Sequence, residues 1–297
     1  MEPMKDNKMG TMPVGKLLVN MALPMIISML VQALYNTVDS IYVSQVSESA
    51  VTALGLAFPV QNLQIGFGVG IGVGVNALLS QSLGRKDQES ANWAAGNGVF
   101  LTLIATALFM LFGIFGVRPY YEMQSSVAET VEGGIAYTSI CCIFTAGVFV
   151  QILCERLLQA TGRAFQTMIL QGTGAIINII LDPVFIHGWW GVPKMGIAGA
   201  AVATVLGQTV GAVLGIYMNL RHNPEIHLHV RYMRPPLADH PAGAGGGHSL
   251  RYYERYRLRD ELRHQPDPPG LPRDRHRCLW HLLQAPEPVL YAAIWHQ

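Results

Sequence analysis

Two carboxylates stand in stretches of sequence that offer them little water. Asp182 lies in QGTGAIINIILDP (171–183), with Asn178 four residues before it and Gln171 eleven before it. Asp39 ends another apolar stretch, with Gln32, Tyr35 and Asn36 seven, four and three positions earlier. Helical geometry places residues at such spacings on one face, so each acid heads a polar stripe. A carboxylate at mid-bilayer costs roughly 2.5–3.5 kcal/mol on insertion scales, and such groups face protein or a watered cavity. If both stripes face one cavity, Asp39 and Asp182 form an acidic pocket that takes up a proton or a small cation. Tyr137, Thr204 and Gln208, in neighbouring apolar stretches, are further candidates. A plainer reading stays open. Gln32, Asn36, Gln171 and Asn178 would serve as hydrogen-bond contacts between helices. Asp39 and Asp182 would mark helix ends in the interfacial region, and Tyr137 and Thr204 would be packing residues.

The elements that carry these residues are uncharged runs over 17–38, 51–83, 91–117, 133–154, 164–181 and 195–220. The first is expected to continue to about residue 43, and the fifth resumes its apolar character beyond Asp182. A spanning helix needs about 20 apolar residues, so each run qualifies. Buried helices of a soluble protein would show charged faces, and these runs show none. The expectation is an all-α membrane protein with a six-helix transmembrane bundle over 17–220. Lys5, Lys8, Lys16, Arg85, Lys86, Arg156, Arg163 and Arg221 fall on one side of it, against Arg118 and Lys194 on the other. That bias puts the N-terminus (1–16) and the loop at 221–235 in the cytoplasm of a multi-pass plasma-membrane protein. Arg156 and Arg163 are read as charge anchors. Trp189 and Trp190 mark the opposite interface.

Gly199, Ala203, Gly207, Gly211 and Gly215 recur every fourth residue, a small-residue stripe that admits a second helix backbone. Gly66, Gly68, Gly70, Gly72 and Gly74 alternate in the second run and point all round a helix. They suggest several close contacts or a bendable segment. Pro24 and Pro59 are candidate kinks.

Net charge +1 hides two compositions: residues 1–220 hold 9 of the 20 Lys and Arg, so the remaining quarter is far more basic. Cys141, Cys142, Cys154 and Cys278 have no metal-binding or disulfide spacing, so three are read as packing residues. No HExxH, GxSxG or paired His lies in the spans, which argues against an enzyme and against a prosthetic cofactor.

Several motifs in order resemble one family. ALPMIISMLVQALYNTVDSIYVSQV (22–46), GLAFPVQNLQIGFGVGIGVGVNALLSQSLGRKD (55–87), LQATGRAFQTMILQGTGAIINIILDPVFI (158–186) and GIAGAAVATVLGQ (196–208) are similar to the multidrug and toxic compound extrusion (MATE) transporters. The resemblance covers about residues 13–235. It implies one lobe of a twelve-helix, two-lobed antiporter that moves cationic or amphipathic drugs outward against H+ or Na+. On this pattern Asp39, Asn178 and Asp182 carry the coupling proton or cation, with Tyr137 and Thr204 beside them and Na+ a candidate at Asp39 and Asp182. Gln32, Tyr35, Asn36, Gln171 and Gln208 would line the drug cavity. Small drugs and the lipid bilayer are the implied partners, not nucleic acid. A lipid-linked oligosaccharide flippase of the same superfamily is the alternative, as is a membrane fragment without activity.

Beyond residue 234 the resemblance stops. The family implies a seventh apolar helix where this chain has a Pro-, Arg- and His-rich stretch over 236–297. A one-base shift from Leu237 permits an apolar reading in which Trp280 and Trp295 both become Gly. The tail is therefore expected to be out of frame and disordered. The preceding lobe is expected to be an N-terminal half with an unpaired face, including the Gly199–Gly215 stripe or its neighbours, open to self-association.

Overall fold

The computed structural model describes residues 12–226 and Tyr232. The chain divides into two units, Met1–Pro235 and Pro236–Gln297, and all described residues belong to the first. The expected out-of-frame tail and most of the N-terminal segment lie outside the described residues.

Helix α1 (Val14–Ser44) is followed by α2 (Glu48–Gly84) and α3 (Gln88–Leu111). A π-helical turn, Phe112–Gly116, leads α3 into α4 (Val117–Gln124). Then come α5 (Ala128–Ile143), α6 (Ala146–Ala160), α7 (Ala164–His187) and α8 (Ile197–His222). Among the described residues five stretches are long and apolar enough to cross a membrane, and α5 with α6, bent by 47° and counted as one span, makes a sixth. The chain is a multi-pass membrane protein, and its described residues hold the six crossings expected on that count. The helices outrun the charge-free runs because polar caps belong to them. Ser47 Oγ accepts from the Ala50 N–H at 3.1 Å and opens α2.

Asp87 opens α3 in the same way. Its carboxylate accepts from the Ser90 N–H at 3.0 Å and the Ser90 hydroxyl at 2.7 Å. The hydroxyl first and the amide second hold this carboxyl below its usual range. A lowered folded value stabilises above the ordinary carboxylate range, and that stability is lost as pH falls through it. Asp87→Ala should therefore loosen the first turn of α3 by about 0.5–1 kcal/mol at neutral pH. Amide exchange at Ser90 reads this, and the gap between variant and parent should close below about pH 4.

The fourth crossing is not the single straight helix expected from 133–154. Gln64 of α2 inserts where α5 ends: its Nε2 donates to the Cys141 carbonyl at 3.4 Å and to the Thr145 hydroxyl. The Cys141 carbonyl is the acceptor that Thr145 N–H would use in an unbroken helix. A side chain inserted into the ladder is a recognised cause of a sharp kink.

Glycines set how closely the helices approach. A Cβ on Gly207 would stand 2.7 Å from the Gly174 carbonyl, and one on Gly211 2.6 Å from Gln151 Oε1. The whole stripe from Gly199 to Gly215 is buried between α8 and its neighbours α6 and α7. It is thus not the unpaired face expected for self-association, because it is consumed inside the bundle. Of the alternating glycines, Gly68 packs on Phe149 and Ile152 and Gly72 on Arg156, while Gly66, Gly70 and Gly74 meet nothing. The outward apolar surface is shared among the long helices: Leu18, Ile26, Met29 and Leu30 of α1, Phe58 and Leu63 of α2, Leu103 and Leu108 of α3, and Val213 and Leu220 of α8 are exposed. Cys141, Cys142 and Cys154 are free and buried, as packing residues should be.

Candidate functional site

Helix α1 turns Pro24, Ser28, Asp39 and Val43 inward, and α7 turns Gly174, Asn178 and Asp182 inward. The two helices pack against one another, so the acids face each other across them. Asp182 is fully buried and Asp39 nearly so, at 8% exposure. Helix α7 runs on through Pro183 to His187, so Asp182 is interior rather than a helix end. Proline lacks an N–H, which removes the intrahelical donor from the Ile179 carbonyl one turn back. The helix stops at Gly188, whose φ of +79° is the left-handed terminator that glycine adopts freely.

The Gly174–Gly207 crossing brings α8 against α7 and sets Thr204 beside Asn178. Oriented to satisfy both neighbours, the Asn178 amide donates to Asp182 Oδ2 at 3.2 Å. Its oxygen then accepts from the Thr204 hydroxyl at 3.2 Å. Asp39, Asp182 and Tyr35 lie close enough for charge on one to act on the others. Tyr137 is buried on α5 within the same electrostatic field, and its hydroxyl accepts from Gln61 Nε2 at 3.0 Å. The five residues expected at the coupling site therefore converge. Gln61 joins them, and nothing in its uncharged run singled it out.

Asp39 Oδ1 is buried and has no hydrogen-bond partner among the described residues. An orphan carboxylate oxygen facing a second acid suits a proton or a monovalent cation. No cluster of three or more His, Cys, Asp or Glu suited to a metal occurs among the described residues.

Beside the acids lies a cavity of about 140 Å³. Gln32, Tyr35, Gln171 and Gln208 line it as expected, together with Asn178 and Thr204. Asn36 does not: it is exposed, and Ser40 Oγ donates to its carbonyl. On α1 it lies about 60° round from Asp39, past the edge of the buried face.

The cavity also holds Gln151, Glu155 and Arg156. Counting runs between charges ended the fourth crossing at Cys154 and made Glu155 a boundary residue. The bend lets the crossing continue to Ala160, so Glu155 is 3% exposed. Gln151 Nε2 and Gln171 Nε2 donate to its two oxygens, each at 3.1 Å. Arg156, read above as a surface anchor, is a cavity residue whose Nη1 donates to Gln159 Oε1 at 2.8 Å. Arg163 lies 3.9 Å from Glu225.

The MatE family model matches residues 24–184. The multidrug export protein MepA of Staphylococcus saprophyticus is 24% identical over 223 residues, 75% of this chain and 49% of MepA. The FAD transporter of Shewanella oneidensis is 26% identical over 206 residues, 69% of this chain and 46% of that protein. A MOP superfamily transporter from Pyrococcus furiosus superposes with a TM-score of 0.71 at 26% identity, over 83% of this chain and 54% of the other. The chain thus spans about half the length of the curated relatives it matches. With more than half of its 297 residues under the family model, the chain belongs to the MatE family.

Proposed function

We propose that these six crossings are one lobe of a secondary antiporter that moves a cationic or amphipathic drug outward against H+ or Na+. One observation carries the reading: Asn178, which hydrogen-bonds Asp182, also lines the cavity. Loading the acids and filling the cavity therefore act on one side chain. A proton or Na+ shared by Asp39 and Asp182 removes the repulsion across α1 and α7. That neutralisation favours close packing of the two helices, and a drug that needs the cavity open favours the other arrangement. Bending at Pro24 and Pro183, and rocking of this lobe against another, would carry the change across the membrane. The chain acts as a transporter and not an enzyme. It lies in the plasma membrane with its N-terminus in the cytoplasm, as the basic loops favour. The relatives named for multidrug export support the substrate class.

Coupling is reciprocal, so ion and drug must weaken one another's binding. Ethidium binding to the purified chain should weaken as Na+ is raised or pH lowered. Ethidium affinity indifferent to both would overturn the antiport reading. A second reading, flippase for an anionic lipid-linked oligosaccharide, draws on Arg156 in the cavity. It ranks lower because Glu155, Asp39 and Asp182 outnumber that single cation. Displacement of ethidium by an anionic isoprenyl diphosphate, with no ion dependence, would favour it.

A further inference from the structure

The cavity contains a second acidic position that the coupling pair does not use. Glu155 is buried among uncharged partners, and neither Lys nor Arg stands within salt-bridge distance of it among the described residues. Its neighbour Arg156 supplies positive charge nearby, but that guanidinium is turned to Gln159, and its Nε has no partner. Gln171, which clasps Glu155, stands eleven residues before Asp182 on α7, a separation of about 16 Å along the axis. The two acidic positions thus lie far apart on one helix.

The donors around Glu155 say what it takes. A carboxylate only accepts, so Gln151 and Gln171 present N–H groups to it. The Gln151 amide oxygen lies against Gly211. A metal cation asks for a shell of oxygens, which this arrangement does not offer. An organic cation asks for one desolvated negative charge beside apolar surface, and Val148 and Ile152 supply such surface in the same cavity. Tyr35, also in the lining, brings an aromatic ring of the kind that attracts a cation.

We propose that Glu155, held by Gln151 and Gln171, is a separate organic-cation site that seats the positive centre of a ligand away from the Asp39–Asp182 pair. The inference rests on the cavity being the drug site, as in the proposed function.

The test is equilibrium binding of ethidium, and of the neutral dye Nile red, to the purified full chain. Glu155→Gln should weaken ethidium binding at least about tenfold, the scale of losing one desolvated charge partner. Nile red binding should stay where it was, which also shows that the variant is folded. If E155Q does not fold, Glu155→Asp carries the test, and ethidium affinity near that of the parent is expected because the charge is kept. Parental ethidium affinity in E155Q, or a tenfold loss in E155D that still binds Nile red, overturns the site. Ion-linked ethidium binding that ignores Glu155 sinks this inference and leaves the antiport reading standing. Glu155-dependent binding with no ion linkage does the reverse.

Discussion

Asp182→Asn should abolish the dependence of ethidium binding on pH and on Na+ while leaving the protein folded. The substitution keeps the shape of the side chain and its hydrogen bond with Asn178, and removes the charge that repels Asp39. With one carboxylate left, the site has no pair to neutralise. Where Na+ is the coupling ion, a concentration a hundredfold above its dissociation constant stabilises the folded parent by about 2.7 kcal/mol, and the variant should lose that stabilisation. Where the proton is the ion, the parent's affinity for ethidium changes across the titration and the variant's stays flat. Asp39→Asn should act in the same direction. Asp39 Oδ1 has no hydrogen-bond partner to lose, so this exchange costs little in structure. The double variant should be no worse than either single one, because both remove the same shared event. Thermal unfolding with and without Na+, and ethidium titrations at several pH values, measure all of this. Intact linkage in D182N would show that the acid pair is not the coupling site.

Gly207→Leu should be the most damaging single change to the lobe. The Gly207 Cβ position lies 2.7 Å from the Gly174 carbonyl and 3.3 Å from Asn178 Cβ. Backbone cannot step aside as a flexible side chain can, so α8 must move off α7. Overpacking of this kind costs up to about 3 kcal/mol. The movement also pulls Thr204 from Asn178, so ion linkage should fail along with stability. Gly70→Ala is the matched comparison: its Cβ meets nothing, and alanine favours helix by up to about 1 kcal/mol. The thermal midpoint should fall sharply for the first and hold or rise for the second. A normal midpoint in Gly207→Leu would mean that the α7–α8 crossing is looser than its geometry.

What the sequence disclosed follows from how each signal arises. The crossings were legible because lipid demands an unbroken apolar run, and charge marks its end. Asp39, Asn178, Asp182 and Thr204 were legible because a polar residue in such a run has few bland explanations. The same rule misled at Glu155. A charge reads as a boundary, whereas the helix runs on to Ala160, six residues past Cys154, with Glu155 buried inside it. Gln61 was missed for a related reason, since an amide in a glycine-rich run carries no period. Asn36 was misplaced because a three-residue step leaves 60° of rotation, enough to carry a side chain off a narrow buried face. The Gly199–Gly215 stripe announced close packing correctly, and its partner could not be read from one helix alone.

The interruption between α5 and α6 gives the fourth crossing two independent levers. The upper carries Tyr137 within the field of the coupling acids, and the lower carries Gln151 and Glu155 into the cavity. Their pivot is one borrowed amide, Gln64, holding the Cys141 carbonyl and the Thr145 hydroxyl. A pivot made of side-chain hydrogen bonds can be engaged or released without rebuilding either lever. Each half of the crossing can therefore shift without rebuilding the other, with α2 as the common fulcrum.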